Sequence, residues 1–401
     1  MNNFEFLSPT KIIAGHDVHL KTGETIKSFG AKKVLVHHDS AYTKKCGLVD
    51  QIIDNIKETG IEVVELGGVV PNPRLDLVYK GIELCKQEGV DFILAIGGGS
   101  VIDSAKAIAM GLPYDGDVWD FFAAQNGVAR AIPTKTTPVG VVLTIAATGS
   151  EASNSCVITK EDESLKRFCD NDINRPVFAI ENPDITMSLP KFQTACGIVD
   201  IMSHSMERYF TCEKEENALT DHLAEAIFKT CMECGRTLMD NPNDYNARAS
   251  IMVASTLSHN GLTGMGRTGD WASHQIEHEL SGEYDVTHGA GLAVIIPAWM
   301  KYVYKDNLTL FVKWATRVMG VSYDYEKPER TVLEGIRRLE DFFHSLGLPT
   351  TMSGMPDVGE VSEECMYKMA KRVRAVHSDG GVGFVKHLLT EDIVNIFKLA
   401  Q

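Results

Sequence analysis

The sequence predicts an α/β domain built on a parallel sheet, followed by an all-helical domain. Three observations carry that expectation. Short apolar runs alternate with amphipathic segments through the first half, and one wholly apolar run, FILAI, leads straight into three glycines. After Pro190 the texture changes to long amphipathic segments. Strands alternating with helices of this length imply a parallel sheet covered on both faces.

Taken in order, KKVLVHH reads as a strand and LVDQIIDNIKETG as a helix that closes on Gly60. IEVVELGG is the next strand, LDLVYKGIELCKQEG the next helix, and DFILAIGGG a third strand. Glycine just past a helix suits the left-handed C-terminal cap, and a run apolar on both faces suits a buried central strand. Beyond Pro190, KFQTACGIVDIMSHSMERYF, NALTDHLAEAIFKTCMECGRTLMD and YNARASIMVASTLSHNGL read as helices. We therefore expect a first domain over residues 1–190 and a helical one over 191–401; 401 residues exceed one ordinary core.

The formal charge of −15 argues against nucleic acid or an anionic membrane as partner, since either needs a basic face. No long uninterrupted apolar run predicts a membrane span, and the N-terminal residues lack the pattern of a signal peptide. Nine cysteines without framework spacing fit a reduced, cytoplasmic protein. The lone pair Cys231 and Cys234 has no second pair to make a zinc or redox site.

GGGSVIDSAKAIAM follows the third strand and opens a helix. Glycines let a ligand approach the backbone, and free amides at a helix start favour a phosphate. The spacing is neither G-x-G-x-x-G nor a P-loop, so an unliganded strand-to-helix turn is also open. TIAATGSEAS, rich in small and hydroxyl residues, could line the same crevice. Asp39 closes the first of these strands, where a carboxylate can accept from ribose hydroxyls and repel a 2′-phosphate. It equally suits a plain turn, and Lys44 and Lys45 pull the other way.

HQIEHELSGEYDVTH holds three of the chain's thirteen histidines. His274 and His278, four apart, share a helix face. His288 would lie about 21 Å from His274 in a continuous helix, so the chain must turn, and Gly282 offers the break. Upstream, Asp200 and His204 form a second i,i+4 pair. One carboxylate with two or three imidazoles makes an O/N site for Fe(II), Zn(II) or another first-row divalent metal. His-Gln-Ile-Glu-His also matches H-x-x-E-H, the inverted zinc-protease signature with Glu277 as general base. That reading leaves the glycine turn and the Asp200/His204 pair unexplained.

GGGSVIDSAKAIA, D-x-x-x-H at 200–204 and H-x-x-x-H…H at 274–288 together resemble the iron-dependent (group III) alcohol dehydrogenases. PNPR at 71–74, YDGDVWDF at 114–121, ATGSEAS at 147–153 and WASHQIEHELS at 271–281 extend the likeness along nearly the whole chain, most closely to the butanol dehydrogenase and aldehyde reductase branch. The resemblance implies a dinucleotide-binding domain, a helical domain and a metal in the cleft between them. It implies Asp200, His204, His274 and His288 as ligands, with His278 beside substrate and nicotinamide without being a ligand; we expect His278 to act as proton relay or orienting group. Cofactor contacts carry over to Asn72, Gly98, Gly99, Ser100, Asp103, Thr144, Thr148 and Lys166. NADPH-using relatives tend to carry GGGS where this chain has Asp39-Ser40-Ala41-Tyr42, a departure that leans towards NAD(H) over NADP(H).

The expected reaction is hydride transfer between reduced nicotinamide and a small aldehyde, with the metal, Fe(II) before Zn(II), as Lewis acid. A homodimer follows from the resemblance alone. Glycerol dehydrogenase-like zinc enzymes, which oxidise polyols, and dehydroquinate synthase-like cyclases share the glycine architecture. The D/H/H/H pattern argues against both, and an intact ligand set argues against a non-catalytic binding protein.

Overall fold

The computed structural model of the chain describes residues 1–39, 42–123 and 130–401. Ser40 and Ala41, part of the departure noted above, lie outside them. The chain forms two compact units, Leu7–Ser188 and Leu189–Gln401, the second joined by Met1–Phe6.

The α/β unit contains β1 (Lys11–Ala14), β2 (Lys33–Asp39), β3 (Glu62–Val69), β4 (Phe92–Gly97), β5 (Val139–Leu143), β6 (Ser155–Lys160), β7 (Leu165–Asp170) and β8 (Phe178–Glu181). Six strands make one parallel sheet in the order β1-β8-β5-β4-β2-β3. All six residues of β4 are buried, as its apolar run requires. The expected helices are Leu48–Glu58 and Leu75–Glu88, with Gly60 and Gly89 in the left-handed region just beyond them.

The chain steps outward from β2 to β3 and then returns to β4 on the other side of β2. Strand order therefore reverses between β2 and β4. In open α/β sheets, ligands bind beyond the carboxyl ends of the strands at such a switch point. Asp39 ends β2 and Gly97 ends β4, so both stand at that edge. β6 and β7 pair with each other as a separate antiparallel hairpin, which the alternating reading of the first half did not anticipate.

His37 on β2 is fully buried. Its Nδ1–H donates to the Leu66 carbonyl (2.8 Å), and its Nε2 accepts from the Ser104 hydroxyl (2.9 Å). Burial is the main cause that lowers its pKa from 6.5 to about 4. The unfolded chain then binds the extra proton between those values. Its contribution to stability is complete above about pH 6.5 and is lost as pH falls towards 4, a cost on the order of 3 kcal/mol. Urea unfolding at pH 5 and pH 7 should show about 2 kcal/mol of that loss, and His37→Gln should flatten it by about one proton's slope.

The second unit is helical: Lys191–Tyr209, Ala218–Asp240, Tyr245–His259, Ala272–Tyr284, His288–Val303, Leu308–Arg317, Pro328–Ser345, Glu363–Arg372 and Thr390–Ala400. The break before His288 is not at Gly282, which stays helical. The helix runs on to Tyr284, and Asp285 makes the turn in the left-handed region at φ 52°, which short polar Asp tolerates better than most residues. No helix among the described residues is long and apolar enough to cross a membrane. Cys231 is buried in the helix Ala218–Asp240, and both it and Cys234 are free thiols.

Candidate metal centre and nucleotide turn

Asp200 and His204 project from one face of the helix Lys191–Tyr209, as i,i+4 spacing demands. Asp200, His204 and His274 are all buried and offer ligand atoms within 4.8 Å of one another. The His204 and His274 ring centres are 4.8 Å apart. The reversal at Asp285 brings His288 alongside, its Nε2 3.8 Å from Asp200 Oδ1 and its ring 5.4 Å from that of His274. His288 also belongs to a neighbouring trio with Glu277 and His278.

His204 Nδ1 is a buried nitrogen with no hydrogen-bond partner, although it lies 3.4 Å from Asp200 Oδ1. Burial, reinforced by the rings of His259 and His274, holds His204 well below the ordinary histidine pKa. A neutral imidazole is the ligand form. The orphaned nitrogen and the mixed carboxylate–imidazole donor set fit a first-row divalent cation.

Two buried glutamates orient the other rings. Glu207, one turn beyond His204, accepts from His274 Nδ1 at 2.7 Å, from the Ser273 hydroxyl at 2.6 Å and from the amides of His274 (2.9 Å) and Trp271 (2.7 Å). Burial alone would raise its carboxyl, but the His274 and Ser273 hydrogen bonds outweigh burial and hold it below the usual glutamate value. Glu277 accepts from His288 Nδ1 and the Ser281 hydroxyl. Each carboxylate takes an Nδ1–H and leaves Nε2 as the ligand nitrogen. Glu277, fully buried and committed to these partners, is not placed as the general base of a metalloprotease.

His278 lies outside the Asp200/His204/His274 cluster, with its ring 5.7 Å from His288 and 6.5 Å from His274. Trp271 opens the segment with φ 63°, unusual for an aromatic residue, and the Arg208 guanidinium sits 4.6 Å over its ring. Such strain persists only where surrounding contacts hold it; here the Glu207 hydrogen bond to the Trp271 amide is one of them. Neither glutamate had been singled out as a support from sequence. Glu207 was findable, since Asp200, His204 and Glu207 fall at i, i+4 and i+7.

In the α/β unit, Gly98 and Gly99 join β4 to the helix Gly99–Gly111, whose start has no side-chain cap. A Cβ on Gly98 would stand 2.0 Å from Ile145, and one on Gly99 2.3 Å from Thr148. The TIAATGSEAS segment therefore packs directly on the turn, and Thr144 N–H donates to the Gly97 carbonyl at 3.1 Å. Gly98, Gly99, Ser100, Thr144 and Thr148 are thus brought together. Asn72, buried and at φ 54°, belongs to a loop stitched to β6 by the Thr159 amide on Pro73 O (2.8 Å), while Lys166 is buried on β7 across from Thr159.

Asp103 faces inward, Oδ1 accepting from Ser150 and Oδ2 from the Val157 amide. Asp39 accepts from the Thr43 amide on both oxygens, at 3.2 and 3.3 Å. Lys44 is turned away to Asp50 (2.6 Å) and Glu65 (2.8 Å). Trp119, Phe121, Phe122 and Cys156 are buried core residues.

The glycine turn at the sheet switch point suits a nucleotide phosphate, and the buried carboxylate–imidazole cluster of the helical unit suits a divalent metal. Comparison with known proteins gives the family. The sequence model for iron-containing alcohol dehydrogenase matches residues 9–183, and that for the C-terminal part of the Fe-containing alcohol dehydrogenase family matches 194–401. The chain is 39% identical to NADH-dependent butanol dehydrogenase A of Clostridium acetobutylicum over 99% of both proteins. It is 33% identical to an NADPH-dependent aldehyde reductase of Escherichia coli, covering 88% of this chain and 89% of that one. A crystal structure of NADH-dependent butanol dehydrogenase A from Thermotoga maritima superposes with a TM-score of 0.93 at 38% identity, over 100% of this chain and 99% of that one. The chain belongs to the iron-containing alcohol dehydrogenase family and is an oxidoreductase interconverting aldehydes and alcohols with a nicotinamide cofactor.

Proposed function

We propose that the chain reduces a small aldehyde to its primary alcohol with NADH, on a centre built from Asp200, His204, His274 and His288 and loaded with Fe(II). The observation that carries this reading is the convergence of those four side chains, two of them oriented by Glu207 and Glu277. When bound, the metal supplies Lewis acidity and the reduced nicotinamide supplies the hydride. The chain's own residues do the rest. Gly98, Gly99 and Ser100 offer helix-start amides to the cofactor phosphates, with Thr144 and Thr148 beside them; Asn72 and Lys166 are further cofactor contacts carried over from the resemblance. His278 stands next to His288, where an imidazole can relay a proton or orient substrate. The homodimer and the cytoplasmic location rest on the resemblance and on cysteine usage.

The preference for NADH rests on charge at the end of β2. On this reading Asp39 brings a carboxylate to where a 2′-phosphate would come, and Lys44, one of the two lysines that could answer it, is engaged by Asp50 and Glu65. We expect kcat/KM with NADH to exceed that with NADPH by about tenfold or more, and Asp39→Gly to narrow the ratio. Butanal reduction followed at fixed metal with each cofactor measures it. A preference for NADPH in the unaltered protein would reject the cofactor assignment.

A further inference from the structure

Lys106, on the glycine-turn helix, is a feature that the functional reading leaves unused. It is only 1% exposed, seven residues beyond Gly99 on the same helix. Its Nζ donates to Ser150 Oγ (2.9 Å), Ser153 O (3.0 Å) and Ser155 O (2.8 Å), with Ser153 Oγ at 3.4 Å. Burial brings its pKa down to about 8, against the opposing field of Asp103. A buried ammonium is costly unless its donors are used, and here three oxygens within 3.0 Å match its three protons.

Asp103, one turn earlier, accepts from Ser150 Oγ at 2.6 Å and from the Val157 amide at 3.0 Å. Two side chains of one helix therefore fasten a single segment at Ser150, Ser153, Ser155 and Val157. Arg175 adds a hold on the Ala152 carbonyl at 2.8 Å. The upstream end of that segment is what presses Ile145 on Gly98 and Thr148 on Gly99.

We propose that Lys106, acting with Ser150 and Asp103, is a positioning residue: it clamps the Thr144–Ser155 segment onto the glycine turn and so sets affinity for the nicotinamide nucleotide without touching it. This rests on the nucleotide-site reading above. It also gives Asp103 a role in holding the segment, through protein partners. The helix then presents amides at its start and grips the facing wall two turns later, so both sides of the site move as one body.

The test is a fluorescence titration of the full-length protein with NADH, alongside steady-state kinetics and circular dichroism. Lys106→Met is expected to raise the NADH Kd and KM by about tenfold or more, while kcat at saturating NADH falls by less than about threefold. Ser150→Ala, which keeps the lysine and removes the hydroxyl shared with Asp103, should raise Kd by several-fold. It decides the matter if Lys106→Met does not fold. Folded variants that bind NADH as tightly as the unaltered protein would overturn the clamp, as would a loss confined to kcat. If the unaltered protein binds neither NADH nor NADPH, the nucleotide-site reading itself fails, and the clamp with it.

Discussion

His274→Ala will lose metal and turnover together, whereas His278→Ala will keep its metal and lose turnover. His274 lies in the buried trio with Asp200 and His204, and its Nδ1 is held by Glu207, so that among the described residues its Nε2 makes only a weak 3.5 Å contact to Ser203. Removing it leaves an incomplete ligand set around an already buried carboxylate, and metal content should fall to background. His278 is packed next to His288 but outside that trio. Loss of a positioned acid–base group costs typically about 10²–10⁴-fold in rate. Metal analysis and kcat measured on the same preparations separate the two roles. Metal missing from His278→Ala would show that His278 is a ligand.

Glu207→Gln and Glu277→Gln should each weaken metal affinity by about 10–100-fold. A carboxylate accepting an imidazole Nδ1–H fixes the tautomer and makes Nε2 a better donor; an amide does the first poorly and the second hardly at all. Glu207 also receives the Trp271 and His274 amides and the Ser273 hydroxyl at the start of the helix Ala272–Tyr284. Its substitution should therefore lower thermal stability as well. Glu277 serves His288 and Ser281, which lies on its own helix, so Glu277→Gln should lower affinity with the smaller change in melting temperature. Competition titrations against a chelator of known affinity read the first effect, and thermal denaturation of metal-free protein reads the second. Equal affinity in all three proteins would remove both glutamates from the account.

Much of this was legible because the signals were local. FILAI followed by three glycines can hardly be anything but a buried strand entering a close turn, and β4 is that strand. Asp200 and His204 needed only helical periodicity. The hairpin β6–β7 was not legible, because its turn uses the acidic run Glu161–Glu163 and a left-handed Ser164, with no glycine or Asn-Gly to mark it. Edge strand β1 is mostly exposed and lacks the apolar run that betrays a strand. The return of His288 was required by distance alone, but the hinge residue was misplaced: glycine is the usual breaker, yet Gly282 remains helical and Asp285 turns. Glu207 was marked only by its i+7 spacing from Asp200, a faint signal because a glutamate on an amphipathic helix normally faces water. Lys106 was hidden; nothing local tells a buried lysine from a solvated one.

The most direct measurement is anaerobic. Chelator-stripped protein, with and without added Fe(II) or Zn(II), is given butanal and NADH, and nicotinamide absorbance is followed. The account predicts no oxidation of NADH by the stripped protein and recovery on adding Fe(II), with less or none on adding Zn(II). Turnover that is undiminished by complete removal of metal would contradict it, because Asp200, His204, His274 and His288 would then be idle in the reaction they are proposed to serve.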